Sequence, residues 1–448
     1  MIKIAIIGAG SEWGRRFGVD ILSYDWHDDV LISMMDVSAS NLEPIVAVTQ
    51  KAIDSHNKKG FAVEGTVDRI KALEGAAFVL ASFAIGGNAY CGSVYADDIT
   101  IPMKYGVFQS VADTLGPGGI FRTLRTAPVM LSLLEDMERY CPDALLLNYV
   151  NPMAMLTWIA SSRKIRTIGL CHSVQGTSRS LASVLNVPYD EVVYTAAGIN
   201  HMAWFTEFKW KGQDMLPKLR EIVRDKAKFD WDPIRADICQ HYGYYVTESS
   251  RHMSEYVPYY RKTKEVLQRY HIDESHVPAD AALGVEDTRQ FLMNKIRYTD
   301  AEGRPEKVRR QISGEEPIIL EKSFEYASEI MIAMVTGKPA VFNGNVMNNG
   351  CIENLPADCC VELPCTVDKS GISPHYYGKL PSQLAALCMT NINVQRLTVE
   401  AVLERDLEKA FYAMLLDPLT SAVCTTEEIR CMYEELIAAE KEYLTYYQ

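Results

Sequence analysis

No stretch of the 448-residue chain reaches the roughly 18 consecutive apolar residues of a membrane span. The apolar opening Ile4-Ala5-Ile6-Ile7 is short, breaks into Gly8-Ala9-Gly10 and has no small-residue cleavage site behind it. It is therefore not read as a secretion signal, and a cytoplasmic location is expected. Positive charge is in deficit: 45 Lys and Arg stand against 58 Asp and Glu, a net charge of -13. That balance argues against nucleic acid or an anionic membrane as the main partner. It leaves a small substrate of either sign open. A disulfide framework is also lacking, because the 11 cysteines are odd in number and irregularly spaced in a long chain. Repeats and low-complexity tracts are absent.

What is present is ordinary globular material, 48% hydrophobic and 23% charged, long enough to bury a core without staples. Two domains are expected, residues 1–195 and 196–448. Through the first 200 residues, short apolar runs alternate with amphipathic stretches, the pattern of a parallel sheet covered by helices. Strands are expected at 3–7, 30–35, 77–84, 144–150 and 167–171, and helices at 12–24, 40–56, 120–139, 153–162 and 176–185. Beyond residue 192 the texture changes. Strands are expected at 192–197, 202–210 and 341–349, and helices at 323–335, 380–395 and 399–416. The segment 261–311 is the most polar in the chain and reads as a solvated excursion or lid.

Gly8-Ala9-Gly10-Ser11 joins the first strand to the first helix, where glycines let a backbone approach a pyrophosphate and the helix N-terminus offers free N–H groups. The G-x-G-x-x-G pattern fails by one residue, with Trp13 in the sixth place and Gly14 after it. Asp36 ends the second strand, where a ribose-binding carboxylate belongs. A plain strand–helix turn and a helix N-cap are the alternatives for these residues. Ala112-Asp113-Thr114-Leu115-Gly116-Pro117-Gly118-Gly119, followed by Arg122 and Arg125, is either a substrate-facing turn or a connector. The amides of Asn148-Tyr149-Val150-Asn151-Pro152 suit a cofactor or sugar hydroxyls, with helix capping as the rival. Cys171 and His201 follow two strand-like runs and could converge on one metal ion, although two ligands are fewer than a catalytic zinc site has. A buried thiol and a core histidine are the alternative. In Ser249-Ser250-Arg251-His252-Met253-Ser254-Glu255-Tyr256, the tyrosine could act as a base if a nearby cation lowered its pKa, or it could simply pack.

Taken together and in this order, these motifs resemble glycoside hydrolase family 4, the NAD- and divalent-metal-dependent glycosidases. The likeness runs nearly end to end. Cys171-His172-Ser173-Val174 is similar to the α-galactosidase (melibiase-type) branch, not to the phospho-sugar branches, which carry Asp or Asn after the cysteine. The resemblance implies a Rossmann-like doubly wound N-terminal domain, a C-terminal α+β domain and a lactate/malate dehydrogenase-like arrangement. It implies NAD bound by Gly8, Gly10, Ser11 and Asp36, and Mn²⁺ or another divalent ion held by Cys171 and His201. Tyr256 would be the C2 base, His172 an acid assisting departure of the aglycone or, alternatively, a sugar-recognition residue, and Asn151 and Asn200 substrate-binding residues. The implied chemistry is oxidation at C3 of the sugar, deprotonation at C2, elimination at C1, water addition and re-reduction. The partner would be a small saccharide, and a homodimer or homotetramer is suggested. α-Galacturonides or α-glucuronides are the alternative substrates, and a 2-hydroxyacid dehydrogenase on the same fold is the alternative enzyme.

Overall fold

The computed structural model describes residues 1–86, 92–270, 284–294 and 304–448. Its centre is a single sheet of 13 strands. Six of them, β1 (Ile2–Ile7), β2 (Val30–Met35), β3 (Phe61–Thr66), β4 (Phe78–Ala81), β5 (Leu145–Asn148) and β6 (Arg166–Gly169), are parallel in the order 3-2-1-4-5-6. This is the Rossmann order expected from the alternating apolar runs. Central strands of such a sheet are covered on both faces, so β1, β2, β4 and β5 read as continuous apolar runs and are buried along most of their length. The reversal of strand order between β1 and β4 opens a crevice at their carboxyl ends, where ligands of this architecture bind.

The same sheet continues antiparallel beyond β6. β11 (Ala340–Met347) pairs with β6, β12 (Cys360–Asp368) with β11, and β7 (Val192–Ile199) with β12; β8 (Met202–Trp210) and β10 (Tyr245–Val246) follow. Short β9 (Gln213–Asp214) and β13 (Gly371–Pro374) lie off this path. Two single-residue pairings seat β11 and β12 between β6 and β7, Asn345 opposite Gly169 and Glu362 opposite Gly198. Both glycines are required by close approach: a Cβ on Gly169 would lie 2.4 Å from Thr157 Oγ1, and one on Gly198 2.4 Å from the Met202 carbonyl.

Three sequence expectations are corrected. Residues 380–395 and 399–416 do not form two helices with a break at 396–398. One helix runs Ser382–Glu404, stops at Arg405 in the left-handed region (φ 57°), and the next is Leu407–Leu416. The polar segment is not uniformly solvated. Arg261 is fully buried, Leu292 is buried against Tyr95 and Met103, and helices Lys264–Arg269, Val285–Asn294 and Arg304–Ser313 occupy its described parts. Its residues 271–283 and 295–303 lie outside the described residues. Finally, the third glycine of the dinucleotide pattern is displaced by one position and not lost. Gly14 packs so closely that a Cβ would lie 2.0 Å from the Ala9 carbonyl. It therefore supplies the close helix–strand contact, while Trp13 turns onto Phe17 and Tyr149. No helix among the described residues is long and apolar enough to cross a membrane.

Candidate active site

The carboxyl ends of β1 and β2 form the first half of the site. Gly8 has φ 88° and would place a Cβ 2.8 Å from the Phe83 backbone, so only glycine allows the turn. The helix Glu12–Leu22 starts at Ser11, whose side chain makes no capping bond; its hydroxyl turns back to the Gly8 carbonyl at 3.2 Å. The N-terminal amides are therefore not consumed by a capping side chain, as phosphate binding requires. Asp36 is held in place by the Gly10 N–H and the Ser38 N–H, both at 2.9 Å. Gly8, Gly10, Ser11 and Asp36 thus come together at one strand-end corner.

The second half lies where β6 and β7 end, on either side of the antiparallel insertion. Cys171 follows β6, and His201 sits in the tight turn between β7 and β8. Their Sγ and Nε2 atoms are 3.3 Å apart. Glu248 completes a triad, its carboxylate, the thiol and the imidazole all lying within 4.8 Å of one another. The other ring nitrogen of His201 faces the Tyr256 hydroxyl at 3.1 Å and the Thr114 hydroxyl at 3.2 Å. His252 lies between two carboxylates, Nδ1 at 3.0 Å from Glu248 and Nε2 at 3.6 Å from Asp113. Asp113 also accepts from the Asn151 amide at 2.9 Å and from Thr114 at 2.8 Å. Three non-glycine residues of this cluster, Ala112, His201 and Glu248, have left-handed backbones, with φ of 51°, 62° and 73°. Such conformations cost free energy and persist where surrounding structure imposes them, commonly at functional sites.

Burial and charge set the protonation states. Burial lowers His201 to about 4, leaving a neutral imidazole able to donate a lone pair. Burial opposes charge on His252, yet Glu248 and Asp113 hold its imidazolium up to about 10. The same pairing holds both carboxylates well below their usual range against the cost of burial. Burial, then Glu362 and Glu248, push the Cys171 thiol well up. Burial and then Asp113 do the same to the Tyr256 phenol. The protein's own charges therefore oppose both a thiolate and a phenolate, and a cation at the cluster is what would reverse that.

The remaining expected residues divide. His172 stands at the mouth, 58% exposed, with Nδ1 3.9 Å from Glu325. Asn200 is buried, with its amide against the Glu362 carboxyl. This places it behind His201 and not in contact with open space. Glu362 itself is wholly buried beside Asn200, Asn345 and the His201 backbone, and burial and then Glu248 push it up to about 8 against the pull of these neighbours.

Sequence reasoning missed Glu248, Glu362 and Glu255. The last is a brace: its carboxylate accepts from the N–H groups of Ser110, Val111 and Ala112 at 2.6, 2.8 and 3.1 Å, and from Gln109 Nε2 at 3.2 Å. Buried Arg261 ties the same loop, bonding the Phe108 carbonyl at 3.0 Å and the Ser110 hydroxyl at 2.8 Å. Glu255 thereby fixes the loop that carries Asp113 and Thr114. Glu255→Gln would set an amide N–H against these backbone donors. It is expected to destabilise the protein by about 1–3 kcal/mol, read from the urea unfolding midpoint.

The sequence model of the family 4 glycosyl hydrolases matches residues 3–187, and that of the family's C-terminal domain matches residues 196–420. The chain belongs to glycosyl hydrolase family 4. It is 38% identical to the α-galactosidase of Bacillus subtilis, covering 100% of both chains. It is also 38% identical to that of Rhizobium meliloti, over 99% of this chain and 89% of the relative. In fold it is similar to the Thermotoga maritima 6-phospho-β-glucosidase solved with manganese, NAD⁺ and glucose-6-phosphate. The TM-score is 0.77 at 22% identity, covering 99% of each chain.

Proposed function

We propose that the chain hydrolyses α-galactosides by oxidation at C3, loss of the C2 proton, elimination of the C1 aglycone, water addition and re-reduction, with NAD⁺ and a divalent cation such as Mn²⁺ resident in the site. The observation that carries this reading is the convergence of Cys171, His201, Glu248 and Tyr256 beside a dinucleotide-type strand–turn–helix corner. A dehydrogenase of 2-hydroxyacids has no use for a thiol–imidazole–carboxylate triad. The galactoside assignment draws on the two α-galactosidase relatives and on Cys171-His172-Ser173-Val174.

The donor set fits a divalent ion, since a thiol, a neutral imidazole and an ionised carboxylate lie within 4.8 Å of one another. Glu248 supplies the ligand that Cys171 and His201 alone lack. The uncapped amides after Gly10 fit a pyrophosphate, and Asp36 fits a ribose. When bound, NAD⁺ and the cation supply reversible hydride acceptance at C3 and Lewis acidity toward the sugar oxygens. Tyr256 removes the proton on C2, and Thr114 and His201 fix its hydroxyl. His172, exposed at the mouth, donates a proton to the departing oxygen. Asn151, anchored through its amide N–H to Asp113, offers its carbonyl oxygen to a sugar hydroxyl, and Asn200 supports His201 from behind. A cytoplasmic homo-oligomer is part of this reading, and its mass is checked by light scattering.

The decisive experiment is hydrolysis of aryl α-galactoside, α-galacturonide and α-glucuronide in D₂O, with and without NAD⁺ and Mn²⁺. The α-galactoside should be turned over only with both, giving galactose deuterated at C2. Galactose without the label would exclude the elimination, preference for a uronide would move the substrate class, and accumulating NADH would point to a dehydrogenase.

A further inference from the structure

Cys171 and His201, proposed to hold the cation, stand on turns from different parts of the sheet. Cys171 follows Gly169, the last residue of parallel β6, and His201 follows Gly198 near the end of antiparallel β7. These two strands are not neighbours. β11 and β12 lie between them, each seated by one pairing, Asn345 opposite Gly169 and Glu362 opposite Gly198. Asn345 and Glu362 are in turn opposite each other in the β11–β12 ladder. Gly169, Asn345, Glu362 and Gly198 therefore form one continuous row across four strands, with a metal-ligand turn beyond each end.

The two side chains in the middle of that row reach both ends. Residues directly opposite in a ladder share a face of the sheet, so Asn345 and Glu362 lie side by side. Asn345 donates from Nδ2 to the Gly169 carbonyl at 3.4 Å. Glu362 draws on the amides of Asn345 and Asn200 and on the backbone N–H of His201. Both side chains are 0% exposed. Burying a carboxyl group costs free energy that an apolar residue of similar volume would not incur. What Glu362 provides in return is contact with the turn of His201, whose left-handed backbone (φ 62°) persists only where its surroundings impose it.

We infer that Asn345 and Glu362 are positioning residues for the metal site: as one bridge they tie the Cys171 turn to the His201 turn and hold the 3.3 Å between Sγ and Nε2. The inference rests on the reading of Cys171 and His201 as ligands. The test uses the full chain, stripped of metal and titrated with Mn²⁺, or with Co²⁺, whose absorption reports a bond to a thiolate. Glu362→Leu keeps the volume and removes every polar contact; it should weaken Mn²⁺ binding by about 10- to 100-fold in calorimetry, the range for lost support of a ligand. The thiolate-to-cobalt charge-transfer band should weaken or shift with it. Asn345→Ala, a milder truncation, should cost about tenfold. The double variant should lose less than the product of the two single losses, because residues of one network do not act independently. Glu362→Gln keeps an acceptor for the His201 N–H and should restore most of the affinity and the band. NAD⁺ affinity of the metal-free variants, set at the Gly8 corner, should stay near that of the wild type.

Unchanged Mn²⁺ affinity and an unchanged cobalt band in Glu362→Leu and Asn345→Ala would overturn the inference. So would parallel loss of NAD⁺ and metal binding in both, the mark of a role in folding alone. Losses that multiply in the double variant would overturn the single bridge. A wild type that binds Co²⁺ without a thiolate band would instead remove Cys171 from the metal site, and with it the reading underneath.

Discussion

Tyr256→Phe should lower kcat by about 10²- to 10⁴-fold, the range ascribed to a positioned proton-transfer group, while binding of Mn²⁺ changes by less than about tenfold. The variant deletes one oxygen from a fully packed position, since Tyr256 is 1% exposed. It leaves His201 Nδ1 with a second partner, the Thr114 hydroxyl at 3.2 Å. The orientation of the imidazole, and with it the triad of Cys171, His201 and Glu248, is therefore preserved. The proposed proton acceptor at C2 is not. Three readouts separate these effects: kcat on aryl α-galactoside, metal affinity from titration calorimetry, and the rate at which the C2 position exchanges with D₂O. Loss of turnover and exchange with metal affinity retained identifies Tyr256 as the base. Turnover within about tenfold of the wild type would assign the base elsewhere, with Asp113 the next carboxylate of the cluster to test. Loss of metal affinity in parallel would make the hydroxyl a support for His201.

The parallel half of the fold is legible in the sequence because nearly all its strands are compact apolar runs ending in a turn signal. β3 is the exception: Glu64 and Gly65 interrupt Phe61-Ala62-Val63, and the strand lies at the sheet edge with no residue fully buried. β12 is hidden because Pro364 stands within it, although this strand links the two halves of the sheet. Cys171, His172, His201 and Tyr256 are visible as reactive residue types at strand ends or in polar clusters. Glu248, Glu255 and Glu362 are not, because glutamate in a loop, short helix or strand ordinarily faces water. Only their placement makes them informative: Glu248 against two imidazoles, Glu255 under four nitrogen donors, and Glu362 opposite Gly198. Arg261 is obscured for the same reason, as one more charge in a charged run.

A second large effect is expected far from the chemistry, at a buried charge cluster. Arg125 Nη1 bonds Asp98 and Glu440 at 3.0 Å each, linking helix Gly116–Tyr140 to helix Ser93–Lys104 and to the residue after helix Thr426–Ala439. Two carboxyl groups share one guanidinium here. Burial pushes both upward against the pull of Arg125, and the neighbouring Asp98 carboxylate drives Glu440 further, so that Glu440 is well above its ordinary value and keeps its proton. Arg125→Met would strand Asp98 without its hydrogen-bonded cation and is expected to cost about 3–5 kcal/mol, read as a lower urea midpoint.

Glu440→Gln replaces one neutral group by another of the same shape and should cost less than about 1 kcal/mol at about pH 8. The sign with pH follows from the raised carboxyl. The folded state binds the proton more tightly, so the stability contributed by Glu440 is full below the unfolded value of about 4.3 and falls as pH rises from there toward the folded value. The substituted amide does not titrate, so the variant should lose less stability than the wild type between about pH 5 and pH 8. If Glu440→Gln is instead as damaging as Arg125→Met and leaves the pH slope unchanged, Glu440 is ionised and Arg125 is held by two full negative charges.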